Sequence, residues 1–296
     1  MKGEEIGVHS TGRNASTGTL YLVATPIGNL EDMTLRALRI LKEVDLIACE
    51  DTRHTAKLLN HFGINTPRQS HHQHNEAGST EKLLQILRAG RSVALVTDAG
   101  TPLISDPGYR LVEACLREGI SVRPIPGPSA AIAALSGSGL PADEFYFAGF
   151  LPHSSNQREK RLAELLELKC TLVFYEAPHR ILASLEDLAV TLGPRKVCLA
   201  RELTKIHEEW LWGTATELIE ILKARPKVQG EITLVVEGGH TPPLANAWPA
   251  SITQHLREEM QKRGVSRKEA LKAIARQRGI SRREAYQLIQ QEKNSG

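Results

Sequence analysis

The stretch SVALVTDAGTPLISDP, residues 92–107, decides how the rest of the chain is read. Val93 to Val96 is an unbroken apolar run, the pattern of a strand buried on both faces. The run stops at Thr97-Asp98-Ala99-Gly100-Thr101-Pro102. A second turn cluster, Ser105-Asp106-Pro107-Gly108, follows after only Leu103 and Ile104. Small residues let a backbone approach a ligand closely, and the two carboxylates can accept hydrogen bonds or balance a cation. Ligands of open α/β sheets bind beyond the carboxyl ends of strands. Such clusters also make ordinary turns, so the stretch alone leaves both readings open.

On either side, strand-like and helix-like segments alternate. Thr19 to Thr25 reads as a strand, followed by a loop over 26–30 and a helix near Thr34 to Glu43. Asp45 to Cys49 reads as a second strand, and Thr55 to Phe62, Glu81 to Ala89 and Tyr109 to Glu118 as helices. A strand at Ser121 to Ile125 turns through Pro126-Gly127-Pro128-Ser129-Ala130 into a helix of small residues. The order implies parallel βα units, hence an α/β fold. The Gly/Ser/Pro-rich segment Ser136 to Asp143 is the best boundary, and the alternation resumes beyond it. The spacing predicts strands at Phe145–Ala148, Thr171–Tyr175, Val197–Ala200, Glu208–Trp212 and Glu231–Val236. Helices are expected over Gln157–Leu168, His179–Leu192 and Thr214–Ala224.

The expected organisation is therefore a disordered extension over 1–17, α/β domains over 18–140 and 141–240, and a linker and helical tail over 241–296. With 296 residues there is chain enough for two cores. No apolar run approaches a membrane span, and the N-terminus lacks the apolar core of a secretory signal. Cys49, Cys115, Cys170 and Cys198 stand far apart in apolar runs, which fits burial and a reducing cytoplasm. Residues 251–296 hold 11 Lys and Arg against 5 Asp and Glu, whereas the rest holds 26 against 29, so the positive charge belongs to the tail. There Gly264-Val265-Ser266-Arg267-Lys268-Glu269-Ala270 is echoed by Gly279-Ile280-Ser281-Arg282-Arg283-Glu284-Ala285. Each copy carries the Ser-x-x-Glu of a capping box, which predicts two short helices, the first ended by Gly279.

Neither a phosphate-binding G-x-x-x-x-G-K-[ST] nor a G-x-G-x-x-G follows a strand. Instead, loops of small residues over 25–30, 97–108 and 126–130 would hold a ligand mainly through backbone groups, as an uncharged adenosine moiety accepts. Ser129 sits where a nucleophile elbow would place it, but Ala131 replaces the last glycine and no histidine has a triad context. His71-His72-Gln73-His74 is too closely spaced for helical metal ligation and reads as a solvated polar loop, with contact to RNA or phosphate as its functional alternative.

The motifs TPIGNLEDMTLRALRIL (25–41), CEDTRHT (49–55), VTDAGTPLISDPG (96–108), PGPSA (126–130), FAGFLP (147–152) and FYEAPHR (174–180) occur in this order. Over roughly Gly18 to Gly239 the chain closely resembles the bacterial 16S rRNA 2′-O-ribose cytidine methyltransferases, within the tetrapyrrole-methylase-like class. The resemblance implies two α/β domains of the tetrapyrrole methylase type (class III methyltransferase), with S-adenosyl-L-methionine between them. It further implies 2′-O-methylation of a decoding-region cytidine in the small ribosomal subunit, and a homodimer. Carried over by position, Pro26, Asp98, Ala99, Gly100, Thr101, Ile104, Ser129 and Ala130 would bind the cofactor from the first domain. Tyr175, Glu176, Leu203 and Glu231 would do so from the second. Asp106 or Glu202 would take or orient the ribose proton, with Arg201 or Lys205 holding phosphate. The alternatives are a small-molecule porphyrinoid methyltransferase, for which a basic tail has no use, and a non-catalytic RNA-binding protein. Aromatic residues make up only 4% of the chain, which argues for RNA shape and phosphate contacts over a stacking platform.

Overall fold

The computed structural model describes residues 17–72, 76–239, 251–278, 280 and 282–294. The N-terminal extension up to residue 16, His74, the Thr241–Pro243 linker and Gly279 lie outside them. The chain divides at Gly238 into two compact units.

The first half of the larger unit runs β1 (Thr19–Val23), a 3-10 turn (Leu30–Asp32), α1 (Leu35–Glu43), β2 (Leu46–Cys49), α2 (Thr52–His61) and β3 (Arg68–Ser70). It continues through α3 (Glu76–Arg88), β4 (Val93–Leu95), α4 (Tyr109–Arg117), β5 (Ser121–Ile125) and α5 (Ala130–Gly137). The sheet order is β3-β2-β4-β1-β5, all parallel. Val93, Ala94 and Leu95 hold the centre, each no more than 2% exposed, because helices cover both faces. Ala37, Ile40 and Leu41 of α1 and Leu59 of α2 pack on one face. Leu83 and Leu87 of α3 and Leu111 and Cys115 of α4 pack on the other. The chain therefore leaves the adjacent strands β1 and β4 toward opposite faces. That switch opens a crevice at their carboxyl ends. β3 was not expected. Its residues Arg68, Gln69 and Ser70 are polar, as an edge strand allows, and carry no apolar alternation.

The second half runs β6 (Phe145–Phe150), α6 (Ser155–Glu164), β7 (Thr171–Glu176), α7 (Ile181–Leu192), β8 (Lys196–Arg201), β9 (Glu209–Thr214), α8 (Ala215–Lys223) and β10 (Ile232–Val236). Here the expectation of continued parallel units needs correction. The order is β6-β7-β10-β8-β9, and only β6 and β7 are parallel. The connection from Glu202 to Glu208 is far shorter than the dozen residues a parallel crossover requires, so β8 and β9 form a hairpin. β10, last in sequence, enters between β7 and β8, antiparallel to both. One face of this sheet packs on α6, α7 and α8. The other receives α5, whose Ala131, Ala134 and Leu135 meet Val173, Cys198, Ala200 and Val235. A helix that belongs to the first half by sequence is thus core for the second sheet. The small residues that looked like a plain turn into a helix are what permit the close approach.

In the smaller unit the described residues form a cluster of three helices with its own core, built from residues such as Ile252, Leu256, Leu271, Ile274, Ala285 and Ile289. α10 (Arg267–Gln277) and α11 (Arg282–Asn294) are the two expected helices. The Ser266–Glu269 capping box is present: the Ser266 N–H donates to Glu269 at 3.0 Å, and the Glu269 N–H donates to Ser266 Oγ at 3.4 Å. α9 (Ile252–Arg263) was not expected. Its apolar stripe is only Ile252, Leu256 and Met260, and its N-terminus is capped from α11 by Glu292, which accepts from the N–H groups of Ile252 and Thr253.

Candidate active site

The crevice at the β1/β4 switch is lined by three loops of small residues, which backbone pairing locks together. The N–H of Thr25 donates to Gly100 O at 2.9 Å, and that of Gly100 donates back to Thr25 O at 3.0 Å. The Thr25 hydroxyl donates to Thr97 O, and the Thr101 hydroxyl to Pro128 O. Leu103 and Ser105 adopt positive φ of 72° and 67°, a conformation that non-glycine residues hold only under tertiary constraint. The loop is therefore a fixed surface rather than a passive turn.

Opposite it stand the carboxyl end of β7 and the turn after β8. The Tyr175 hydroxyl accepts from the Ala131 N–H at 3.2 Å and so joins α5 to the second sheet. Gly28 makes a similarly close approach. A Cβ there would lie 2.4 Å from Lys205 Cγ and 2.9 Å from Leu203 O, so only glycine lets the loop after β1 touch the 203–205 turn.

Between these walls lies a cavity of about 370 Å³. Of the residues expected at the cofactor, it brings together Asp98, Ala99, Gly100, Thr101, Ile104, Ser129, Ala130, Tyr175, Glu176, Leu203 and Glu231, and it includes Asp106. Ile27, within the ligand loop expected over 25–30, also lines it, as do Phe150 and Thr233, which were not named as site residues from sequence. Phe150 stands in the FAGFLP motif, which was the available signal. A second cavity, about 610 Å³, adjoins the first through Ile27, Asp98, Ala99 and Glu231. Pro26 and Lys205 belong there.

Arg201 and Glu202 line neither cavity. Arg201 binds Glu209 at 2.9 Å, and Glu209 also accepts two hydrogen bonds from Arg225. Those hydrogen bonds hold the Glu209 carboxyl down to about 2. Glu202 accepts from Lys205 at 2.8 Å and from the Glu231 N–H at 2.9 Å, which lowers its carboxyl below the ordinary range. Lys205 also reaches Glu231 at 3.0 Å. Glu176 lines the first cavity, but its side chain is fully buried and committed to Arg180 at 3.2 Å, to the Ser184 hydroxyl and to the Ala177 N–H.

Asp106 differs from these carboxylates. Burial pushes it up to about 6. A hydrogen bond with Thr97 opposes that rise, and the nearby carboxylates Glu50 and Asp98 add to it. The Tyr175 hydroxyl is likewise raised by burial. A carboxyl that changes charge near neutrality at the edge of a cleft is suited to proton transfer.

His71 corrects the reading of a solvated loop. It is 1% exposed and its Nδ1 lies 2.6 Å from Ser79 Oγ. Among the described residues, no cluster of His, Cys, Asp and Glu forms a metal site. No described helix is long and apolar enough to cross a membrane.

The cavity's chemistry fits the expected cofactor. Ile27, Ile104 and Leu203 offer apolar walls, the loops offer backbone donors and acceptors, and Asp98 and Asp106 offer negative charge for a cationic ligand.

Known proteins give an independent view. The family model of tetrapyrrole (corrin/porphyrin) methylases matches residues 19–219. A ribosomal RNA small subunit methyltransferase I of Halalkalibacterium halodurans is 50% identical over 261 residues, covering 87% of this chain and 90% of its own. Its counterpart in Escherichia coli O157:H7 is 53% identical over 225 residues, covering 75% and 79%. Among solved structures, the methyltransferase CobJ aligns with a TM-score of 0.57 at 20% identity, over 75% of this chain and 95% of its own. A uroporphyrin-III C-methyltransferase from Thermus thermophilus, complexed with S-adenosylhomocysteine, aligns at 0.52 and 21% identity, over 74% and 97%. The structural likenesses establish the fold, and the half-identical relatives place the chain more narrowly. It belongs to the tetrapyrrole methylase family and, within it, to the ribosomal RNA small subunit methyltransferase I group.

Proposed function

We propose that the protein methylates the ribose 2′-hydroxyl of a cytidine in the decoding region of 16S rRNA, acting as a cytoplasmic homodimer on the small ribosomal subunit. The observation that carries this reading is the 50% identity, over 87% of the chain, to a protein named ribosomal RNA small subunit methyltransferase I. In this reading residues 18–140 and 141–240 each supply one wall of the first cavity, and the tail over 241–296 adds positive charge for RNA.

S-adenosyl-L-methionine, bound in that cavity, supplies a methyl group already activated on a sulfonium. The chain's own contribution is mainly positional. Holding two reactants in line contributes about 7–11 kcal/mol, whereas a positioned base contributes about 10²–10⁴-fold. Ser129, Ala130 and the 98–104 loop orient the cofactor from one side, and Tyr175, Leu203 and Glu231 from the other. Asp106 accepts or orients the ribose proton. Glu202 is set aside as base because Lys205 and the Glu231 N–H already engage its carboxylate.

The test is methylation of small ribosomal subunits that lack the modification, followed by nuclease digestion and mass spectrometry. A methyl group on a cytidine ribose is expected, and one on a base, or on a porphyrinoid only, rejects the reaction. The same assay measures what Gly28 contributes. Gly28→Val pushes the loop after β1 off the 203–205 turn, and misplacement by about 1 Å costs roughly 10²-fold in rate. A Gly28→Val rate within about threefold of wild type would show that this contact does not align the two walls.

A further inference from the structure

The second cavity has one basic wall that the cofactor reading leaves unused. α2 begins at the carboxyl edge of the first sheet, where Asp51 caps it by accepting the Arg53 N–H at 2.7 Å. Thr55 and Leu59 turn inward and are buried. His54, Lys57 and His61, at i, i+3 and i+7, fall on a neighbouring stripe and line the second cavity. Lys205, which lines the same cavity, is neutralised by Glu202 and Glu231. No carboxylate among the described residues engages Lys57 in this way.

We infer that this wall of α2 holds the phosphodiester of the RNA strand beside the acceptor nucleotide. The inference rests on the proposed ribose methylation and deepens it. A 2′-hydroxyl is attached next to the carbon that bears the 3′-phosphate. A ribose presented to the first cavity therefore brings a phosphate into whatever compartment adjoins it. The second cavity adjoins it, and its acidic groups, Asp98 and Glu231, are those shared with the first cavity. His54, Lys57 and His61 line the second cavity and not the first. The carboxylates thus stand where the two cavities meet, and the ammonium of Lys57 stands in the part that belongs to the second alone. A phosphate contact by Lys or His positions a strand without reading its sequence.

The experiment compares wild type, Lys57→Ala, Lys57→Arg and the triple variant His54→Ala/Lys57→Ala/His61→Ala on unmodified small subunits. Cofactor affinity is measured separately by calorimetry, and thermal unfolding checks the fold. The triple variant is expected to raise KM for the subunit about tenfold and to lower the salt dependence of binding by roughly 0.7 to 0.9 for each phosphate it no longer neutralises. Its kcat and cofactor affinity stay within about twofold of wild type. Lys57→Arg, which keeps the charge, stays close to wild type where Lys57→Ala does not. An unchanged KM and salt slope in the triple variant overturns the assignment, as does an effect confined to kcat. If the wild type binds the cofactor but methylates only a porphyrinoid, the underlying reading fails instead, and it fails before any variant is compared.

Discussion

Asp106→Asn is expected to slow single-turnover methyl transfer by about 10²–10⁴-fold while leaving cofactor affinity within a few-fold. The substitution keeps the shape and one acceptor oxygen but removes the group that takes the proton. The wild-type rate should also carry the signature of that group. A base acts when ionised, and burial raises Asp106 from 3.8 to about 6. The single-turnover rate should therefore fall about tenfold per pH unit below 6 and level off above about 7, and the variant should lose this dependence. Stability should move the other way. The folded-state value lies above the unfolded one, so ionising Asp106 opposes folding. The cost is absent below the unfolded value, grows as pH rises between the two, and is complete above about 6. The asparagine variant should accordingly unfold at a higher temperature than wild type at pH 8 but not at pH 4. Loss of activity with gain of stability at high pH marks a functional compromise, which a purely structural carboxylate would not produce. A variant that retains wild-type single-turnover rate at every pH removes Asp106 as the base.

Arg180→Met should strongly destabilise the larger unit. Its guanidinium meets Glu176, whose side chain is fully buried, and donates to the carbonyl oxygens of Leu151 and Pro152. Removing it leaves the carboxylate buried without its cation, at a cost of about 3–5 kcal/mol. For a unit of this size that lowers the unfolding midpoint by roughly 10 °C. The damage should spread to the cavity, because Phe150 immediately precedes Leu151 and its ring rests 5.6 Å from that of Tyr175. Adding Glu176→Gln should recover about 1–3 kcal/mol, since the amide keeps the Ala177 and Ser184 contacts without an orphaned charge. A double variant no more stable than Arg180→Met alone would show that the buried charge is not the origin of the destabilisation.

These side chains also show what sequence reasoning can reach. The apolar run Val93–Val96 with its small-residue loop identified a central strand and a ligand edge, because burial on both faces and close backbone approach leave direct marks on composition. Strand direction leaves no such mark. β7, β8 and β10 are all apolar runs, and whether they pair parallel or antiparallel depends on where the connections let them return. Polar Arg68-Gln69-Ser70 pairs only along one edge, so no alternation announced it. For Glu176 and Arg201, residue type and position at a strand end were visible, but not which partners had already engaged them. His71 looked solvated because its neighbours are polar, and only tertiary packing buries it.

The place of β10 governs the order in which the protein can be built. Strands β7 and β8 each present one edge to β10, which is the last made of the five strands of their sheet. After β9 ends at Thr214, the 22 residues from Ala215 to Val236 must still be synthesised. At about 5–20 residues per second that leaves a gap of roughly 1–4 seconds in which two apolar strand edges stand open. During that interval the nascent chain is a target for chaperones and for misplaced pairing with other chains, and a translational stop anywhere before residue 232 makes the gap permanent.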